Sequence, residues 1–124
     1  NGIKVSGTGE KLYFIQYGVY SSIDNMEKET IALENYIYTQ NNNLYYVYVG
    51  ITNNKDNADK IINYYKELGF ETILKKYSVS DNSFIEILEN YDNILFSTTD
   101  KTAIASLINQ VLIKYEEVVI NGKN

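Results

Sequence analysis

An α+β fold, with a four-stranded antiparallel sheet and two helices on one of its faces, is predicted by three observations. The sequence repeats itself: shifted by 32 residues, Leu12, Tyr13, Gly18, Asp24, Asn25 and Lys28 fall on Leu44, Tyr45, Gly50, Asp56, Asn57 and Lys60. Each copy opens with an aromatic and β-branched run ended by a glycine, which is the composition and punctuation of a strand. Each run is followed by a polar segment and then by apolar residues at helical spacing. A strand, a helix and a strand, twice over, give the order βαββαβ across residues 12–79.

In the first copy the strand opens at Leu12, and Ser21, Ser22 and Asp24 can cap a helix with the stripe Ile23, Met26, Thr30 and Leu33. A second strand follows over residues 36–40, and Asn41, Asn42 and Asn43 make the turn between the halves. The second copy runs from Leu44 to Gly50 as a strand. Its helix carries Ala58, Ile61, Ile62, Tyr65 and Leu68, with Gly69 where a C-terminal stop belongs, and residues 71–79 form the last strand. Two further helices are expected. Phe84, Leu88 and Tyr91 mark one over residues 81–95; Ile104, Ile108, Val111, Leu112 and Tyr115 mark another over residues 98–119, with cap residues Ser97, Thr98, Thr99 and Asp100 between them. The expected organisation is a polar linker tail of a longer parent protein at 1–11, the duplicated unit at 12–79, a helical extension packed on the same domain at 80–119, and a tail at 120–124.

Two such units close most simply as a ferredoxin-like sandwich with the first and third strands side by side at the centre. One sheet face then carries no helix. Alternation along the strands assigns Ile15, Tyr17, Val47 and Val49 to the helices, and Phe14, Gln16, Tyr46 and Tyr48 to the opposite face, with Leu44 at the strand start. Aromatic rings with polar handles beside a glutamine suit flat, hydroxyl-bearing ligands. The helices after residue 80 are expected to extend the helical layer, because covering the other face would leave Gln16 unsatisfied.

Composition narrows the chemistry. The 124 residues include no Cys, His, Arg, Trp or Pro. Thiolate chemistry, imidazole acid–base catalysis, the commonest metal ligands and the bidentate phosphate grip of arginine are all missing. No cofactor or metal is expected, and no enzyme. The carboxylates Asp24 and Glu27, or Glu116 and Glu117, read as helix first-turn charges and solvated faces. A net charge of −5 disfavours nucleic acid and anionic lipid as partners. Thirteen tyrosines and sixteen asparagines suit neutral polar ligands such as sugars, although Asn, Ile, Lys and Tyr enrichment also follows from AT-rich coding. No run of 18 apolar residues is present.

Phe14-Ile15, Gln16, Tyr17, Gly18, Val19, Tyr20 and Ser21-Ser22 follow one pattern: an apolar or aromatic run, Gln, any residue, Gly, any residue, an aromatic, and a small polar pair. Tyr46 to Gly50, then Asp56-Asn57-Ala58, adds an apolar strand ending in Gly and a helix with an Asn-Ala pair; Lys66 to Phe70 leads into a last strand. In this order the motifs resemble the SPOR (sporulation-related repeat) family across residues 12–79. The resemblance implies the βαββαβ fold and binding of bacterial peptidoglycan, with preference for glycan strands stripped of stem peptides where cells divide, sporulate or remodel the wall. It also implies a location on the wall side of the envelope, and a parent protein tethered to the membrane by a segment outside this chain. Carried over by position, the glycan contacts would be Gln16 and Tyr46, with Phe14 and Tyr48 by face, Leu44 where some members carry Trp, and Leu74 from the last strand.

Two other functions fit the same pattern. The open sheet face or the C-terminal helices could dock on an envelope protein partner. Aromatics on the central strands of this fold are also how RNA-recognition motifs stack bases, but net acidity and the lack of arginine oppose nucleic acid.

Overall fold

The structure, a computed structural model, describes residues 9–122. The expected linker tail, over its first eight residues, and the last two residues of the expected C-terminal tail lie outside the described residues. In chain order the elements are β1 (Glu10–Tyr20), α1 (Ile23–Glu29), β2 (Ile37–Asn41), β3 (Leu44–Thr52), α2 (Lys55–Glu67), β4 (Ile73–Val79), α3 (Asn82–Phe96), α4 (Lys101–Tyr115) and a π turn (Glu116–Ile120). The strands form one antiparallel sheet in the order β2-β3-β1-β4, the ferredoxin-like topology with β1 and β3 at the centre.

The two halves of the repeat use the same local devices. Ser22 caps α1 by accepting from the Asn25 amide, and Asn54, its equivalent 32 residues on, caps α2 by accepting from the Asn57 amide. Gly69, at φ 94°, ends α2 in the left-handed conformation that a glycine adopts without strain. The hairpin between β2 and β3 turns on Asn42 and Asn43, with φ of 53° and 65°, the two-residue turn whose twist matches paired strands.

Several boundaries differ from the sequence reading. β1 and β3 do not end at Gly18 and Gly50 but run on to Tyr20 and Thr52, because Tyr20 pairs with Tyr45 and Thr52 with Tyr13. β2 covers Ile37–Asn41 and β4 begins at Ile73. β1 begins at Glu10, because Glu10 and Lys11 pair with Val79 and Ser78 of β4. α1 stops after Glu29, so Leu33 falls beyond the helix. Thr30, at the end of the stripe, turns its hydroxyl back onto the Met26 and Glu27 carbonyls at 2.8 and 3.4 Å and closes the last turn there. The long final helix divides into α4 and the π turn, with Asp100 as the N-cap of α4.

α1 and α2 cover the sheet face expected for them. Ile15 and Gly50 are paired on β1 and β3, and a Cβ on Gly50 would sit 2.7 Å from a methyl of Ile61 of α2, so glycine is what allows this close approach. The Tyr65 hydroxyl donates to the Val49 carbonyl at 2.8 Å, and the Tyr17 hydroxyl to the Glu29 carbonyl at 3.0 Å. The C-terminal helices do more than extend this layer, contrary to expectation. α4 packs against β3, α2 and α3. On the helical side Lys101 is ion-paired with Glu67 of α2. On the opposite side the Tyr115 ring stands 5.5 Å from Phe14 and 5.0 Å from Phe84 of α3. The sheet is therefore a central layer with helix on both faces. Leu12, Phe14 and Ile51 on one side, and Ile15, Val49 and Ile61 on the other, belong to one buried core.

Candidate functional site

On the Phe14 side of the sheet, the C-terminal helices leave a cleft of about 300 Å³. β3 contributes Tyr46 and Tyr48 to its lining, β2 contributes Thr39 and Asn41, and β4 contributes Tyr77, Ser78 and Val79. Phe14 of β1 forms the floor and Tyr115, the last residue of α4, a wall. Hairpin register explains the β2 contribution: Thr39 pairs with Tyr46 and Asn41 with Leu44, which brings both side chains to the Tyr46 side.

Phe14 organises the rings. Its centroid lies 5.3 Å from those of Tyr48 and Tyr77 and 5.5 Å from that of Tyr115, every pair edge-to-face. The Tyr48 hydroxyl donates to the Tyr77 hydroxyl at 3.1 Å. These contacts fix the rings, so the cleft is shaped before a ligand arrives. No charged side chain lines it among the described residues. Burial, followed by the hydrogen bond to Tyr77, pushes the Tyr48 phenol far above its ordinary value. Burial, followed by the nearby Asp81 charge, raises that of Tyr115. Both rings stay neutral, and what they offer is aromatic surface and hydroxyl groups.

Of the residues expected on an exposed platform, Phe14, Tyr46 and Tyr48 come together in this cleft. The platform itself is not open. Phe14 is 3% and Tyr48 5% exposed, because Tyr115 and α3 pack over that part of the sheet. Gln16 is placed opposite Tyr48, but it is 5% exposed, does not line the cleft, and its Oε1 has no hydrogen-bond partner among the described residues. Leu44 is half-buried just beyond the cleft, next to Asn41. Leu74 pairs with Ile15, and therefore faces the helical side, away from the cleft.

Thr39, Asn41, Tyr77, Ser78, Val79 and Tyr115 were not expected in the site. For Thr39 and Asn41 a signal existed: a two-residue turn at Asn42-Asn43 fixes their partners as Tyr46 and Leu44 by counting outward. Tyr77 needed the register of β4 on β1, and Tyr115 the path of α4; neither is written in local periodicity.

A second polar cluster joins the extension to the repeat. Asp92 of α3, 6% exposed, accepts from the Thr52 hydroxyl, from the Asn53 amide at 2.8 Å and from the Asn57 side chain at 3.0 Å. The Lys60 ammonium donates to the Leu95 and Thr98 carbonyls, both at 2.7 Å, and satisfies the C-terminal end of α3. The Asn57 of the Asp-Asn-Ala motif therefore holds the added helices in place. Among the described residues no group of acidic side chains could hold a metal ion, and no helix is long and apolar enough to cross a membrane.

No family model matches the chain, and no curated protein matches it. Among solved structures, it is similar to the solution structure of the peptidoglycan binding domain of the B. subtilis cell wall lytic enzyme CwlC. The two share 29% identity over 60% of this chain and 98% of that one, with a TM-score of 0.47.

Proposed function

We propose that this chain binds glycan strands of bacterial peptidoglycan in the tyrosine cleft, without catalysis. The observation that carries the reading is a concave, pre-shaped site lined by aromatic rings, hydroxyls and one carboxamide, with no charged side chain among the described residues. A pyranose ring has apolar C–H faces and a polar rim. Tyr46 and Tyr77 can meet the faces, while Thr39, Asn41, Ser78 and the tyrosine hydroxyls can meet the rim. The order of motifs around Gln16, Gly18, Gly50 and Asn57 is what selects peptidoglycan among glycans. Strands stripped of charged stem peptides match a neutral cleft in a chain of net charge −5.

In this reading the chain works on the wall side of the cell envelope. It directs a longer, membrane-tethered protein to places of division, sporulation or wall remodelling, where stripped strands occur. The test is co-sedimentation with purified sacculi, before and after amidase removal of stem peptides. The expected result is a pelleted protein with a larger pelleted share after amidase. A protein that stays in the supernatant in both arms overturns the reading.

A further inference from the structure

The C-terminal helices change what a sheet face can bind. On an uncovered face an extended polymer could lie across all the strands. Here Leu12, Phe14 and Ile51 are closed off at 0%, 3% and 2% exposure, and Tyr115 bridges from Phe14 to Phe84 above them. What remains is a cleft of about 300 Å³, at the small end of the roughly 300–1,000 Å³ of ligand pockets. Tyr115 stands where α4 passes into the π turn, which is closed by the Asn121 amide on the Glu116 carbonyl at 2.8 Å; such wide turns are frequent at functional sites. The ring itself is held at the cleft by its packing between Phe14 and Phe84.

We infer that Tyr115 is a specificity-determining residue that limits the ligand to a short segment, about one or two sugar rings, rather than an extended strand. This rests on the glycan reading of the same cleft. It assigns to the added helices a role in recognition: they supply one wall of the site and set its length. Strand ends and short exposed stretches would be bound, and each further sugar would find no surface to rest on.

Titration calorimetry of the full chain with β-1,4-linked N-acetylglucosamine disaccharide and hexasaccharide tests this. The two are expected to bind within about threefold of each other, and Tyr115→Ala to favour the hexasaccharide by about tenfold or more. Tyr115→Phe keeps the ring on Phe14 and Phe84 and should keep the wild-type ratio. A wild-type hexasaccharide bound tenfold or more tightly than the disaccharide overturns the inference, whatever the fate of the alanine variant. Binding to sacculi with no binding of the disaccharide also overturns it and leaves the glycan reading standing. Failure to bind either sacculi or oligosaccharides removes both.

Discussion

The Asn57 side chain donates to Asp92 twice, to its carboxylate and to its backbone carbonyl, each at 3.0 Å. This pair connects the second copy of the repeat to a helix 35 residues away in sequence. Asp92 is nearly out of water, so its value depends on the donors it faces. Replacing it with Ala leaves the Thr52 hydroxyl, the Asn53 amide and the Asn57 carboxamide without that acceptor. The expected loss is about 3 kcal/mol, from the cost of buried donors left unpaired. Urea unfolding checks it: the midpoint should fall, and a lowered slope would mean that α3 and α4 have already separated from the sheet.

The same carboxylate gives a pH dependence. Burial outweighs the hydrogen bonds from Asn53, Thr52 and Asn57, and raises the Asp92 carboxyl above the ordinary aspartate value of 3.8. A carboxyl raised on folding holds a proton in the native state that the unfolded state has released. Stability from this group therefore increases as pH falls through the raised value, and levels off below the ordinary one. The stability of wild type relative to Asp92→Ala should widen as pH is lowered from neutrality towards about 4. Urea titrations of both proteins across that range measure the difference; a gap that narrows on acidification would contradict it.

Gly18 and Gly50 occupy the same position in the two copies, yet they should tolerate alanine differently. A Cβ on Gly50 meets the buried Ile61 side chain at 2.7 Å and Ile15 at 3.4 Å, so Gly50→Ala should cost about 1–3 kcal/mol by overpacking. A Cβ on Gly18 meets the end of the Tyr20 ring, which is only half-buried and can swing away, so Gly18→Ala should cost less than about 1 kcal/mol. Thermal unfolding of both variants should show this order.

Much of the fold was legible because the repeat placed strands and helix caps twice, at Ser22 and Asn54 for the caps, whereas of the expected stops only Gly69 ends its element. Thr30 shows where local reading failed: it continues the apolar spacing of Met26, but its hydroxyl is free to bond back to the helix and end it. The site was only half legible. Phe14, Tyr46 and Tyr48 follow from strand alternation, whereas Tyr115 depends on where α4 docks. Nor does Gln16 keep the face open: its Oε1 is buried without a partner among the described residues while the larger apolar neighbours are covered. Burial of Leu12, Phe14 and Ile51 by two helices is worth several times the cost of one unsatisfied amide oxygen, at about 1.5–3 kcal/mol for each side chain against about 1–3 kcal/mol for the oxygen.

Because no charged side chain lines the cleft among the described residues and the Tyr48 and Tyr115 phenols are raised, sacculus binding should not change between about pH 5 and pH 9, where ordinary carboxylates and phenols hold a constant charge. Nor should it weaken as salt rises from about 0.05 to 0.5 M, a range in which screened charge contacts would be lost. A tenfold fall in bound fraction at the higher salt would place the binding surface among the surface lysines and carboxylates instead.

Substitutions then separate the cleft from the sheet residue that the motif singles out. Tyr46 and Tyr77 line the cleft and are only partly buried, but Tyr77→Ala also removes the ring contacts to Phe14 and Tyr48 and the bond from the Tyr48 hydroxyl, so the unfolding midpoint of each variant is measured beside its binding. Tyr46→Ala and Tyr77→Ala should each weaken binding to amidase-treated sacculi by about tenfold, the size of one lost aromatic contact together with its hydrogen bond. Tyr48→Phe keeps the packing on Phe14, loses the bond to Tyr77, and should cost about 1 kcal/mol in stability. Gln16→Leu, which removes a buried oxygen without a partner, should leave binding unchanged and raise the unfolding midpoint. If Gln16→Leu abolishes binding while Tyr46→Ala and Tyr77→Ala do not, the ligand reaches the buried part of the sheet, and α3 and α4 must move aside to admit it.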